Sequence, residues 1–131
     1  MRVDGTIHWI SALTVALSLS TCADSGGPEL LACSDSLNVT VGSGVEPLFS
    51  WSPNCKAEYV FVVDSAPREL ARWAIRAHVT GEGVPSPVRY GDTSSTMNTE
   101  FGPVPLVAAQ KYLIRIYTDS GGPIGQAIFT P

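Results

Sequence analysis

Short runs in which apolar and polar residues alternate recur from residue 37 to the end of the chain, and Gly or Pro residues separate them. Alternation with a period of two places the apolar side chains on one side of an extended chain, which is typical of a half-buried β-strand. The runs of this kind are residues 37–41, 48–51, 58–64, 72–79, 88–90, 97–101, 111–118 and 127–130. Seven or eight short strands with turns between them predict an all-β fold, an antiparallel β-sandwich over residues 36–131.

Two of these runs depart from simple alternation. Residues 58–64 are β-branched or aromatic at nearly every position, which predicts a central strand covered on both faces. Residues 72–79 are ambiguous, because Arg68, Arg72 and Arg76 recur every four residues, as on one side of a helix. A strand separates the apolar residues from the arginines more cleanly, so we predict a strand there, preceded by a helical turn or an irregular segment over residues 67–72.

The first 21 residues have a different character. Residues 7–19 are mostly apolar or small, and Arg2 precedes them, partly offset by Asp4. This run is shorter than the about 20 apolar residues that a membrane-spanning helix needs. A charged start, a short apolar stretch and small residues before a break are the pattern of a secretory signal. We predict that residues 1–21 form a signal peptide, with an uncleaved anchor or a buried helix as the alternative.

The end of this apolar run, Leu19-Ser20-Thr21-Cys22, is a Leu, two small residues and a Cys. It resembles the lipobox of bacterial lipoproteins. The resemblance implies that Cys22 carries a diacylglycerol on its sulfur and that the protein is held at a membrane of the bacterial cell envelope. Residues 22–35, which begin with a Gly/Ser-rich stretch, are then expected to form a flexible tether. Cleavage after Ala23, which would release a secreted, soluble domain, is the alternative.

The chain has three cysteines, an odd number that needs an explanation in an exported protein. If Cys22 is lipidated, Cys33 and Cys55 remain as a pair, and an oxidising compartment favours a disulfide between them. Such a bond would close a loop of about 20 residues and contribute about 3 kcal/mol to stability. Two free buried thiols are the alternative. We expect no metal site, because neither cysteine has a neighbouring Cys or His that would complete a zinc site.

Leu106 precedes Tyr112 by six residues, and Ile114 and Ile116 follow at alternate positions. This segment resembles the end of a fibronectin type III domain, and Trp51 followed by residues 59–62 is similar to the second and third strands of that family. The resemblance implies a fibronectin type III-like or immunoglobulin-like sandwich. It also implies a tyrosine corner, in which Tyr112 buries its ring and its hydroxyl bonds to the backbone a few residues upstream. A fold of this kind implies no particular function.

The net charge and the reactive residues of the chain limit the functions that it can have. The net charge is -4, which gives no overall attraction to phosphate, so we expect no nucleic-acid partner. His78 is the only histidine after the leader, and no Gly-x-Ser-x-Gly motif accompanies it, so no nucleophilic triad is indicated. The carboxylates are scattered along the chain. A small carboxylate-dependent hydrolase therefore remains only as an alternative that requires two carboxylates facing one cleft.

Arg72, Trp73 and Arg76 form a candidate binding face, since they place cations and a ring that can stack on a sugar or peptide within one short segment. The alternative places the arginines on solvated strand edges and Trp73 in the core. A polar loop over residues 91–96 is a further location where contacts are often found. We therefore expect a non-catalytic envelope lipoprotein without cofactors, with a β-sandwich that binds an envelope protein or a glycan, or that serves as a structural subunit. Exposed apolar residues on an edge strand over residues 127–130 would support the structural role.

Overall fold

The computed structural model describes residues 29–78, 82–94, 97–119 and 121–131, which form eight β-strands in two antiparallel sheets. The strands are β1 (Asn38–Val41), β2 (Leu48–Ser52), β3 (Tyr59–Asp64), β4 (Ala71–Ala77), β5 (Val88–Arg89), β6 (Met97–Phe101), β7 (Tyr112–Tyr117) and β8 (Pro123–Phe129). The order in the three-stranded sheet is β1-β2-β5, and the order in the five-stranded sheet is β6-β4-β3-β7-β8. The all-β sandwich is confirmed, and the ambiguous run from residue 72 is a strand. No helix occurs in the described ranges.

Side chains from the inner faces of both sheets form one hydrophobic core. Phe49 of β2 packs edge-on against Phe129 of β8, with ring centroids 5.4 Å apart, and thereby joins the two sheets. The largest fully buried side chains are Trp73, Tyr112, Phe49, Ile75, Ile114, Ile116, Val60, Val62, Val63, Val84 and Pro47. Burial of each large apolar side chain stabilises the fold by about 1.5–3 kcal/mol, so the alternation seen in the sequence is what holds the two layers together.

Strand β3 lies in the middle of the five-stranded sheet, as expected from its composition. The second expectation, that both of its faces are covered, holds only in part, because Val63 is 1% exposed but the outward-facing aromatic residues are not fully buried. Val60 and Val62 are fully buried on the inner face, whereas Tyr59 and Phe61 are only half-buried on the outer face. The apolar residues of β3 thus serve two different surfaces, the core and the exterior of the sheet.

One end of the sandwich carries the disulfide, and we call it the disulfide end. Cys33 and Cys55 are bonded, with their Cα atoms 4.9 Å apart. Cys33 precedes β1 and Cys55 follows β2, whose last residue pairs with the first residue of β1. The backbone also links this segment to the domain, because the N–H of Cys33 donates to the carbonyl oxygen of Lys56 at 2.9 Å. The predicted tether over residues 22–35 is therefore corrected at its C-terminal part, where the chain is fixed to the sandwich.

The opposite end, which we call the loop end, carries the connections 42–47, 65–70, 90–92 and 102–111. Tyr112 begins β7 here, and its ring is fully buried. Its hydroxyl oxygen accepts a hydrogen bond from the N–H of Val107 at 2.8 Å, and the side chain of Leu106 is buried as well. This is the local geometry of a tyrosine corner, which the resemblance of this segment implies.

Candidate functional site

The structure separates the three residues of the predicted binding face. Trp73 is completely buried, and its ring lies in the core with centroid distances of 6.3 Å to Phe49 and 5.2 Å to Tyr90. The expectation that Trp73 belongs to a binding surface is therefore wrong. Its indole ring contributes to packing, as its apolar neighbours do.

Arg72 is engaged in an ion pair at the loop end. Its Nε and Nη2 donate to Oδ1 and Oδ2 of Asp64 at 2.6 and 2.7 Å, and the Asp64 side chain is only 12% exposed. The hydrogen bonds from Arg72 lower the pKa of Asp64 below its usual value, against the opposing effect of burial. Both of these charges are satisfied within the protein, so Arg72 does not provide a free cation for a ligand.

Arg76 is exposed on the outer face of the five-stranded sheet, beside a cluster of aromatic rings. Strand pairing places Tyr59 between Arg76 of β4 and Tyr117 of β7, and it places Phe61 beside Arg115 of β7. The ring centroids of Tyr59 and Phe61 are 5.7 Å apart, and those of Tyr59 and Tyr117 are 5.6 Å apart. The guanidinium of Arg76 lies over the ring of Tyr59, with Cζ 5.1 Å from its centroid, a favourable cation–π geometry. We call these five residues the aromatic face.

Both arginines of the aromatic face are paired with carboxylates. Arg76 Nε lies 3.2 Å from Oε1 of Glu100, and Arg115 donates to both carboxylate oxygens of Glu69 at 2.9 and 3.2 Å. The hydrogen bonds from Arg115 lower the pKa of Glu69. Partial burial, together with the charge of Glu100, raises the pKa of Tyr59 above its usual value. The aromatic face therefore combines aromatic side chains with arginines whose charges are paired with carboxylates.

Apolar side chains extend the aromatic face toward both edges of its sheet. Phe101 of β6 pairs with Ala74 and is 45% exposed. At the other edge, Ile128 of β8 pairs with Leu113 and is 66% exposed. Ile128 lies in the segment 127–130 where exposed apolar residues would support a role in assembly. A patch of aromatic and aliphatic side chains therefore crosses the outside of the sheet from β6 to β8.

A cleft of about 580 Å³ opens at the loop end. It lies between the loop that joins β1 to β2, the end of β5 and the chain after β6. Its lining residues are Val45, Glu46, Arg89, Tyr90, Gly91, Asp92, Pro103, Pro105 and Leu106. Burial raises the pKa of Tyr90 to about 12, so its hydroxyl remains a hydrogen-bond donor toward the carbonyl oxygens of Arg72 and Val104.

The sequence contains a signal for the aromatic face that the predictions above do not use. Tyr59 and Phe61 alternate with Val60 and Val62, so aromatic residues occupy one face of a strand while valines occupy the other. Arg115 and Tyr117 alternate in the same way with isoleucines in the partner strand. Two neighbouring strands with this pattern indicate an aromatic exterior once their pairing is known.

The remaining sequence predictions concern residues outside this site. The signal peptide, Cys22 and the first part of the tether lie outside the described residues. His78 is exposed, and its Nδ1 lies 2.9 Å from Oδ1 of Asn98. Within the described ranges, no three or more His, Cys, Asp and Glu side chains are grouped so that they can hold a metal ion. No helix long and apolar enough to cross a membrane is found in the described part of the chain.

Comparison with known proteins found no relative of this chain. No protein-family model, no curated protein sequence and no solved structure matches the chain.

Proposed function

We propose that this protein is a non-catalytic, lipid-anchored protein of the bacterial cell envelope, and that its β-sandwich binds another envelope protein through the aromatic face. The observation that carries the binding role is the cluster of Tyr59, Phe61 and Tyr117 on the outside of the five-stranded sheet. Tyr, Phe and Arg are enriched where proteins bind one another, and large aromatic side chains supply much of the binding energy there.

The lipid anchor is supported by the sequence of the leader and by the number of cysteines. The disulfide uses Cys33 and Cys55, which leaves Cys22 as the third cysteine of the chain. Cys22 stands directly after the apolar leader, where lipid attachment gives it a role. Two acyl chains bury many methylene groups in a membrane, and each contributes about 0.8 kcal/mol to anchoring.

A protein partner explains the face better than a glycan does. A sugar ring would need an open aromatic surface to stack on, whereas the guanidinium of Arg76 already lies over Tyr59. The aliphatic side chain of Ile128 enlarges the apolar surface in a way that suits a protein. Since Arg76 and Arg115 are both paired with carboxylates, we expect the partner to offer apolar contact rather than a strong opposite charge.

The anchor is tested by the intact mass of the protein from the membrane fraction of a bacterial host, with and without reductant. We expect a chain that starts at Cys22 and carries a diacylglyceryl group, lighter by two hydrogen atoms before reduction. A soluble product that starts after Ala23 would contradict the lipid anchor and support the alternative of a secreted domain.

The partner is tested by photo-crosslinking in cells. A crosslinking residue at Gln126, which pairs with Arg115 at the rim of the aromatic face, should give one defined adduct. The same residue at Thr40, exposed on the other sheet, is the matched control and should not give that adduct. Phe61→Ala should abolish the adduct, and Val45→Ala, which removes an exposed apolar side chain elsewhere, should preserve it.

Equal adducts from both positions would contradict the proposed face. Cosedimentation of the protein with purified cell-wall polysaccharide, abolished by Phe61→Ala, would instead assign a glycan as the ligand of the same surface.

A small hydrolase remains the second candidate, because Glu46 and Asp92 line one cleft. Both residues are exposed, however, whereas the general acid of such enzymes is usually a carboxyl group packed against apolar side chains. This difference favours binding over catalysis at the cleft. Turnover of a polysaccharide substrate that both Glu46→Gln and Asp92→Asn abolish would establish the enzymatic alternative.

A further inference from the structure

The cleft at the loop end has the size and shape of a site for a small ligand. Its volume of about 580 Å³ falls within the range that small-molecule sites usually occupy, roughly 300–1,000 Å³. Pro103 and Pro105 form one wall, and the half-exposed side chain of Val45 lies on another. Tyr90 and Leu106, both buried, close the inner part. A ligand that enters this cleft therefore meets apolar walls on several sides.

The backbone that forms the proline wall is fixed. Gly102 has a φ of +74°, a conformation that residues with a Cβ rarely adopt. It turns the chain so that the N–H of Val104 donates to the carbonyl oxygen of Arg72 at 2.8 Å. The hydroxyl of Tyr90 lies 3.1 Å from the same carbonyl oxygen. The proline wall is thus held in place by the fold itself, and a wall of this kind lowers the entropic cost of binding.

Charged groups of both signs line the cleft, and they are largely unpaired. No hydrogen bond or ion pair to another described residue involves the carboxylates of Glu46 and Asp92. The guanidinium of Arg89 donates one hydrogen bond, from Nη1 to the backbone carbonyl oxygen of Glu46 at 3.1 Å, and its other donors remain available. This contrasts with the aromatic face, where each arginine already has a carboxylate partner.

We propose that this cleft binds a short peptide that carries both an ammonium group and a carboxylate. Arg89 pairs with the carboxylate of the ligand, Glu46 and Asp92 pair with its ammonium group, and small apolar side chains contact Pro103 and Pro105. A ligand of a single charge sign would leave the opposite charge of the cleft unpaired on binding. The proposal concerns a surface other than the aromatic face and does not depend on the lipid anchor.

The test uses amide resonances of the full-length protein in a two-dimensional NMR titration with alanyl-alanine. We expect saturable shifts at the residues around the cleft, above all Arg89 to Asp92. N-acetyl-alanyl-alanine lacks the ammonium group, and alanyl-alanine amide lacks the carboxylate. Each should bind about tenfold more weakly, since each loses one charge-assisted interaction.

Substitutions of the charged residues test which part of the cleft binds the carboxylate of the peptide and which part binds its ammonium group. Arg89→Gln should remove the preference for alanyl-alanine over its amide, and the double variant Glu46→Gln/Asp92→Asn should remove the preference over the N-acetyl form. Arg68→Gln, which changes an exposed arginine outside the cleft, is the matched control and should preserve both preferences. The spectrum of each variant also reports whether it is folded.

Three results would overturn the proposal: no saturable shifts, shifts confined to other surfaces, or equal affinity for the three peptides. None of these results bears on the crosslinking or mass measurements, so the two proposals stand or fall separately.

Discussion

The guanidinium of Arg72 and the carboxylate of Asp64 form two parallel hydrogen bonds at the loop end of the sandwich. Asp64→Asn removes the charge but keeps the shape, and it leaves Arg72 mostly buried without its partner. We expect the free energy of unfolding to fall by about 2 kcal/mol. Urea denaturation measures this change. Asp35→Asn, at an exposed position, should change it by less than about 0.5 kcal/mol, and equal effects of the two variants would contradict a structural role for the pair.

The same pair predicts a loss of stability in acid. The pKa of Asp64 is lower in the folded protein than its ordinary value of 3.8, so in this range the unfolded chain binds more protons than the folded one. The contribution of the pair is present above that ordinary value, and it is lost as the pH falls through the lower pKa of the folded state. Glu69, whose pKa is also lowered, acts in the same direction.

Glu58 acts in the opposite direction, because burial raises its pKa. The informative measurement is therefore the difference between the wild-type protein and Asp64→Asn, followed by urea denaturation from about pH 6 to about pH 2. We expect this difference to shrink steadily in the acid range, and a difference that does not depend on pH would rule out the linkage.

Tyr112→Phe isolates the hydrogen bond of the tyrosine corner. The variant keeps the buried ring but removes the oxygen that accepts from the N–H of Val107. We expect a loss of about 1 kcal/mol in the free energy of unfolding. Tyr59→Phe is the control, since no hydrogen bond of the Tyr59 hydroxyl to the described residues is present. A larger loss for Tyr59→Phe than for Tyr112→Phe would contradict this interpretation.

Three Gly→Ala variants separate steric overlap from backbone strain. A Cβ at Gly102 would lie 2.3 Å from the carbonyl oxygen of Arg72, and Gly102 also has a positive φ. Gly44 has a φ of +92° but open space around it, and Gly121 has open space and no such φ. Thermal unfolding should rank the destabilisation as Gly102 above Gly44 above Gly121, with about 1–2 kcal/mol for the strain alone. Equal destabilisation by the substitutions at Gly102 and Gly44 would show that the neighbouring backbone moves to make room for the added Cβ.

The strands were predictable because burial of one face requires alternation. Segment 58–64 shows the limit of this reasoning. The apolar residues on its second side belong to the aromatic face and are not covered by another layer of structure. A register irregularity also escaped prediction. Val62 pairs with Trp73 and Val63 with Ala71, so Arg72 is an extra residue in β4, free to turn toward Asp64. Because only Ala71 precedes Arg72 in β4, the shift that this insertion causes in the alternation is not visible in the sequence.

The cleft could not be predicted from local sequence at all. Glu46 and Arg89 are 43 residues apart in the chain, and they meet because β5 pairs with β2, with Arg89 opposite Leu48. The cysteine pair was predictable because the expectation that Cys22 of an exported chain is lipidated left Cys33 and Cys55 as a single pair. Contacts that depend on the pairing of distant strands require the structure.

The disulfide also determines how mechanical load enters the domain. Strand β1 lies at the edge of its sheet, where a pull on its N-terminal end would peel it away one hydrogen bond at a time. The bond between Cys33 and Cys55 directs that pull to the connection between β2 and β3, one strand from each sheet. Force on the N-terminal chain therefore reaches both layers through Cys55, and less of it acts on the edge strand β1.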